Sequence, residues 1–118
     1  MITIGRRARR LPAPAHVVWG SLTKPTRPGA RPWLNLRADE VEPAVLAAVE
    51  PTTVTWSSLW PSRADVRVQF DLEVDGADTC LRYTMLAEEP APDRSKTGHL
   101  RYRINKLLFA DLRYSYGQ

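Results

Sequence analysis

Asp111 is the residue whose placement most invites chemistry. Along residues 98–116 a step of about 100° per residue gathers Leu100, Ile104, Leu107, Leu108, Leu112 and Tyr114 on one side of a helix, and puts Tyr102, Arg103, Lys106, Phe109 and Arg113 on the other. Asp111 and Ser115 land inside the apolar side. An unpaired carboxylate among leucines has a raised pKa, because burial disfavours its charged form. Such a group can serve as general acid or base on a bound carbonyl compound, or orient a ligand hydroxyl. A salt bridge to an inward arginine, or a wet position at a cavity mouth, would leave it inert instead. Tyr83 and Tyr114, if turned inward, would add hydroxyl donors, although most buried tyrosines simply find a backbone partner.

Trp19, Trp33, Trp56 and Trp60 are many for 118 residues. Their rings could stack on a planar ligand, but filling a core is the stronger expectation for Trp19 and Trp56. His16 and His99 lie on different segments without an acidic or cysteine companion at ligand spacing, so no metal site is expected. No nucleophile elbow, phosphate loop, dinucleotide fingerprint or Ser/His/Asp set is present, and no cofactor is expected. Ser57 and Ser58 read as strand fillers. Cys80, the single cysteine, has no activating neighbour beyond Arg82 and cannot form an internal disulfide, which suits a cytoplasmic location.

Those residues must be positioned by one domain spanning residues 1–118. Composition is that of a globular chain, 43% hydrophobic and 25% charged. No apolar run approaches the ~20 residues a membrane span needs, and the N-terminus lacks the apolar region of a secretory signal. The net charge of +4 comes from arginine clusters at Arg6, Arg7, Arg9 and Arg10 and at Arg101, Arg103 and Arg113. Such patches attract phosphates, but no helix-turn-helix, zinc finger or ribonucleoprotein motif accompanies them. A solvated basic face is expected, without a nucleic-acid partner.

In chain order, residues 1–11 alternate loosely as an opening strand, ended by Leu-Pro-Ala-Pro. Pro14 begins a short helix over 14–22, and 24–31 is a Pro/Gly/Arg loop. Trp33-Leu-Asn-Leu is a short strand or irregular hook. Strand-like runs follow at 45–49, 53–60, 64–74 and 79–87, each bounded by turn residues. The third alternates strictly: Val66, Val68, Phe70, Leu72 and Val74 face one way, Arg67, Gln69, Asp71 and Glu73 the other. Connections this short allow only antiparallel pairing. A proline-rich link, 88–95, leads to the long helix, which Asp93 or Ser95 would cap and Gly117 would end. The expected class is α+β, a curved antiparallel sheet with a long final helix docked on it.

This order resembles the SRPBCC superfamily, with its helix-grip fold shared by birch-pollen-allergen-like proteins, START lipid-transfer domains and polyketide cyclase/dehydrase-like proteins. The motifs that carry the resemblance are LPAPAHVVW at 11–19, VEPTTVTW at 49–56 and DTCLRY at 78–83. It implies a sheet gripping the last helix around a cavity for a small hydrophobic or aromatic, lipid- or polyketide-like metabolite. On the sheet Trp56, Trp60, Phe70, Leu72, Tyr83 and Met85 would line it, with Trp33 from the loop and Ile104, Leu107, Leu108, Asp111 and Ser115 from the helix. Two alternatives stand beside plain binding. One is a polyketide cyclase/dehydrase-like enzyme using Asp111 and a tyrosine such as Tyr83 for proton transfer. The other is a protein-interaction role of the chaperone-activator kind. Members usually carry two helices between the first two strands, and residues 23–31 are too short and proline-rich for the second. The pocket would then be shallow, open or closed by another subunit, which leaves a homodimer open.

Overall fold

The computed structural model describes residues 1–117. Five strands, β1 Ile2–Leu11, β2 Val45–Val49, β3 Thr53–Trp56, β4 Arg67–Asp75 and β5 Asp78–Ala87, form one antiparallel sheet in the spatial order β1-β5-β4-β3-β2. The first and last strands in sequence are therefore neighbours, and β1 and β2 are the two edges. Helix α1, Ala15–Thr23, follows β1. The C-terminal helix α2 is 22 residues long, α-helical over Arg94–Lys106, π-helical over Leu107–Leu112 and α-helical again over Arg113–Ser115. No second helix lies between α1 and β2, as the proline content of that segment led us to expect.

The sheet forms where the sequence alternates. Opposite residues in antiparallel strands share a face, and the β4–β5 register sets Val68 against Met85, Phe70 against Tyr83 and Leu72 against Leu81. All six are buried. The two strands join through Gly76 and Ala77, between the paired Asp75 and Asp78. Gly76 takes φ +63°, the left-handed conformation that a two-residue hairpin demands.

Indole N–H groups fasten α1 to this sheet. Trp19 Nε1 donates to the Thr53 carbonyl at 3.1 Å and Trp56 Nε1 to the Leu22 carbonyl at 2.8 Å. At the other end of the chain, Asp93, one of the two expected caps, caps α2 by accepting from the Lys96 backbone N–H at 2.8 Å, so the helix begins at Arg94.

Two further expectations change. The strand expected over 53–60 stops at Trp56. The Ser58 hydroxyl accepts from the Trp60 N–H at 2.9 Å and donates to the Arg63 carbonyl at 2.8 Å. Such local side-chain bonds compete with the strand ladder, and the chain turns into a short 3-10 turn, Pro61–Arg63. The helix faces also shift. Arg103, expected outward, is 3% exposed, while Tyr114, expected inward, is 71% exposed. For Tyr114 the cause is the π-helical segment before it, whose wider turn puts later residues out of phase with a 100° step, whereas Arg103 precedes that segment and turns inward to Glu40.

Candidate binding site

Ten of the twelve side chains expected around a cavity pack against one another instead. Trp33 and Trp56 stack with ring centroids 6.1 Å apart, and Trp56 meets Phe70 edge-on at 4.8 Å. Trp56, Phe70, Met85, Ile104, Leu107 and Leu108 are 0% exposed. These six side chains are sealed from solvent, and the middle of the sheet–helix interface is buried core of the kind close packing gives. Trp60, Tyr83, Leu72 and Trp33 are buried around them.

The contact that seats the helix is an ion pair. Arg103 Nε donates to Glu40 Oε2 at 2.8 Å and Arg103 Nη2 to Glu40 Oε1 at 2.7 Å, a planar fork meeting a planar carboxylate. Arg103 Nη2 also donates to the Asn35 carbonyl at 3.0 Å. Glu40 accepts two more bonds, from Trp60 Nε1 at 3.0 Å and from the Arg37 backbone N–H at 2.9 Å. Burial pushes the Glu40 carboxyl up. The bonds from Arg103, Arg37 and Trp60 outweigh it and hold the pKa at about 2.

Neither proposed proton-transfer residue is free. Tyr83 is 1% exposed and its hydroxyl donates to Asn105 Oδ1 at 3.0 Å. Burial raises its pKa, against the opposing pull of Arg101 and Arg7, so the phenol is neutral and already spent as a donor. Asp111 is half-buried and is paired with Lys106. The salt bridge weighed for it in the sequence thus forms, though to the lysine one turn back. Ser115 and Trp33 meet in a small cleft of about 110 Å³ with Ser21, Arg27 and Tyr116. Trp33 Nε1 is a buried side-chain donor without a partner among the described residues.

Open space between sheet and helix lies to one side, along β1. Arg7 pairs across to Tyr83 and Arg9 to Leu81, so both arginines share the face that looks toward α2. At Gly5 the helix comes so close that an added Cβ would stand 2.9 Å from Arg101 Cγ. Beyond that crossing the two elements part. A groove of about 290 Å³ opens there, walled by Arg7 and Arg9 of β1 and by Tyr102, Asn105, Lys106, Phe109, Ala110 and Arg113 of α2. The Phe109 ring lies 6.0 Å from that of Tyr83 and is half-buried. A second cleft of about 710 Å³ continues past it between Arg9, Arg10, Pro12, Asp78 and Arg113.

Of the groove residues none stood among the expected ligand contacts. The signal for them was present but weak. Arg7 and Arg9 are two apart on a strand and so share a face, and that face is the inward one only because Leu11, two further on, is buried.

Neither a protein-family model nor a curated protein matches the sequence. The likeness is to solved structures. The Aha1 dimer of Colwellia psychrerythraea superposes with a TM-score of 0.69 at 19% identity, over 93% of this chain and 92% of that one. CalU16 of Micromonospora echinospora gives 0.65 at 19% identity, over 88% and 70%. Ara h 8.0201 gives 0.57 at 14% identity, over 97% of both chains. All are SRPBCC structures, and this chain has their helix-grip fold. At these identities the likeness concerns the fold alone. No helix among the described residues is long and apolar enough to cross a membrane.

The buried pair makes a stability prediction. Removing one partner, as in Arg103→Met or Glu40→Leu, strands a buried charge and should destabilise by about 3–5 kcal/mol in urea unfolding. The double variant should recover most of that loss, and a double variant as unstable as the singles would contradict the pairing. Because the folded Glu40 pKa lies below the unfolded value of about 4.3, this stabilisation is complete above that value. It is lost as pH falls through about 2. Unfolding at pH 3 and pH 7 should therefore differ less in Glu40→Gln than in the wild type.

Proposed function

We propose that this chain is a binding protein for a small hydrophobic or aromatic molecule, held in the β1–α2 groove. The observation that carries this reading is the groove itself, a concave space with one wall from the sheet, one from the C-terminal helix and an aromatic surface at Phe109. Concave sites lined by apolar and aromatic groups with a few polar ones are the usual form of small-ligand sites. The fold is consistent with it, since Ara h 8.0201 and a polyketide-cyclase-like protein of Corynebacterium glutamicum share it. Plain binding is favoured over a cyclase-like activity because Tyr83 and Asp111 each have a partner of their own.

Titration of the 15N-labelled protein with 2-naphthol should shift the amides of Arg7, Arg9, Asn105 and Ala110. Ala110→Trp, at an exposed position, should fill the groove and weaken binding at least tenfold without loss of folding. Shifts centred on Trp56, Phe70 and Leu108 would instead place the ligand in the interior and overturn the groove assignment.

A second reading, association of two copies, is favoured by β2. This edge strand, Val45–Val49, reads VLAAV, carries no charge and is exposed at all five residues. Edges are ordinarily guarded by charge or proline within the strand; here the only guard inside it is an irregularity in register between Val45 and Ala47. The related Aha1 structure is a dimer. Light scattering at 100 µM should give a dimer mass for the wild type and a monomer mass for Ala47→Lys, and a monomeric wild type would remove the reading.

A further inference from the structure

We propose that the ligand of the β1–α2 groove is an acid: an aromatic or apolar body seated on Phe109 and Ala110, with a carboxylate or phosphate group held between Arg9 and Arg113. This rests on the groove reading above and adds the chemical class of the ligand. Arg9 and Arg113 come from opposite walls, one on β1 and the other on α2, and both line the groove and the adjoining cleft. They stand where the two spaces meet.

Among the described residues the charges around them do not balance. Arg7, Arg9, Arg10, Lys106 and Arg113 line the two spaces with one carboxylate, Asp78. That carboxylate is taken by Arg10, at 2.8 Å from its Nε, and Lys106 is taken by Asp111. Among the described residues Arg7, Arg9 and Arg113 have no carboxylate within salt-bridge distance. Arg7 and Arg9 project from one face of a strand, roughly 7 Å apart along it, and Arg101 adds a fourth guanidinium near Tyr83. Like charges gathered in a concave site raise the local concentration of an oppositely charged partner. Guanidinium groups in particular match the planar oxygens of carboxylate and phosphate with paired N–H donors.

The neighbouring surface says what the rest of the ligand is. Phe109 and Ala110 follow each other on α2 beside Arg113, one turn on, and Tyr102 and Asn105 lie one to two turns back. An apolar patch that borders a cationic one selects a molecule with both characters. The groove volume of about 290 Å³ suits a molecule of one or two rings and not a folded partner.

The test uses the whole chain with 2-naphthyl phosphate and 2-naphthol, which differ only in the acidic group, titrated calorimetrically at 20 and 200 mM salt. The phosphate should bind at least tenfold more tightly than the alcohol, with the advantage shrinking in high salt. Arg9→Gln with Arg113→Gln should abolish that advantage, so that the two compounds bind the double variant with the same affinity. Arg82→Gln, on the opposite face of the sheet, should change neither. Equal affinity for the two compounds overturns the acid assignment and leaves the groove reading standing, whereas failure of both to bind overturns the groove reading as well. A preference that survives the double substitution also overturns the assignment, because the anion then sits elsewhere. Sedimentation with phosphatidylglycerol vesicles, or retention of a single-stranded oligonucleotide, with no response to the free naphthyl phosphate, would replace the soluble acid by a headgroup or a nucleic-acid backbone and likewise overturn it.

Discussion

The clasp of Arg103 on Glu40 is the contact on which the arrangement of the helix depends. Taking two charges out of water costs several kcal/mol per ion, repaid only when geometry is good and the remaining lone pairs are filled. Here the guanidinium meets the carboxylate with two donors, and Trp60 and the Arg37 backbone complete the carboxylate's shell. Such a site has one acceptable geometry. It fixes the rotation of α2 about its own axis and ties it to the long loop before β2.

With that rotation set, the rest of α2 follows. Leu100, Ile104, Leu107 and Leu108 turn onto the sheet and meet Trp56, Phe70 and Met85 without a gap. Asn105 and Phe109 turn toward β5 and β1, where Tyr83 receives them. The π-helical turn then carries Asp111 alongside Lys106 and Tyr114 out to solvent. A sealed centre and an open flank are two results of one helix orientation. Between sheet and helix, the basic and aromatic groups that remain accessible are those on the flank.

Much of this was legible in the residues. Strict alternation from Val66 to Leu72 gave β4 and its buried face, though Val74, expected on that face too, lies exposed where the strand runs out into its hairpin, and the short connections gave the antiparallel order. The motifs at 11–19, 49–56 and 78–83 led to the helix-grip fold, which structural comparison supports. What resisted reading was whatever depends on a partner distant in sequence. Arg103 lies only about 60° from Leu100 around the helix, at the margin of the apolar side, yet nothing local announces that Glu40, 63 residues earlier, will receive it. Ser58 looked like a strand residue because its rival bonds to Trp60 and Arg63 are not written in alternation. The π-helical segment leaves no trace in a 100° count. Trp56 was expected chiefly to fill the core and does so, whereas Trp33 and Trp60, placed on a cavity wall, are buried with it. The groove was missed for the complementary reason: arginines on the opening strand read as a solvated basic face, and only the position of α2 makes them a wall.

The central claim is that the space between sheet and helix is full at its centre and open beside β1. Xenon occupies dry apolar voids and leaves packed cores untouched, so crystals pressurised with the gas report directly on that space. The account predicts no xenon among Trp56, Phe70, Met85, Ile104 and Leu108. A well-occupied xenon atom lined by those side chains would contradict it.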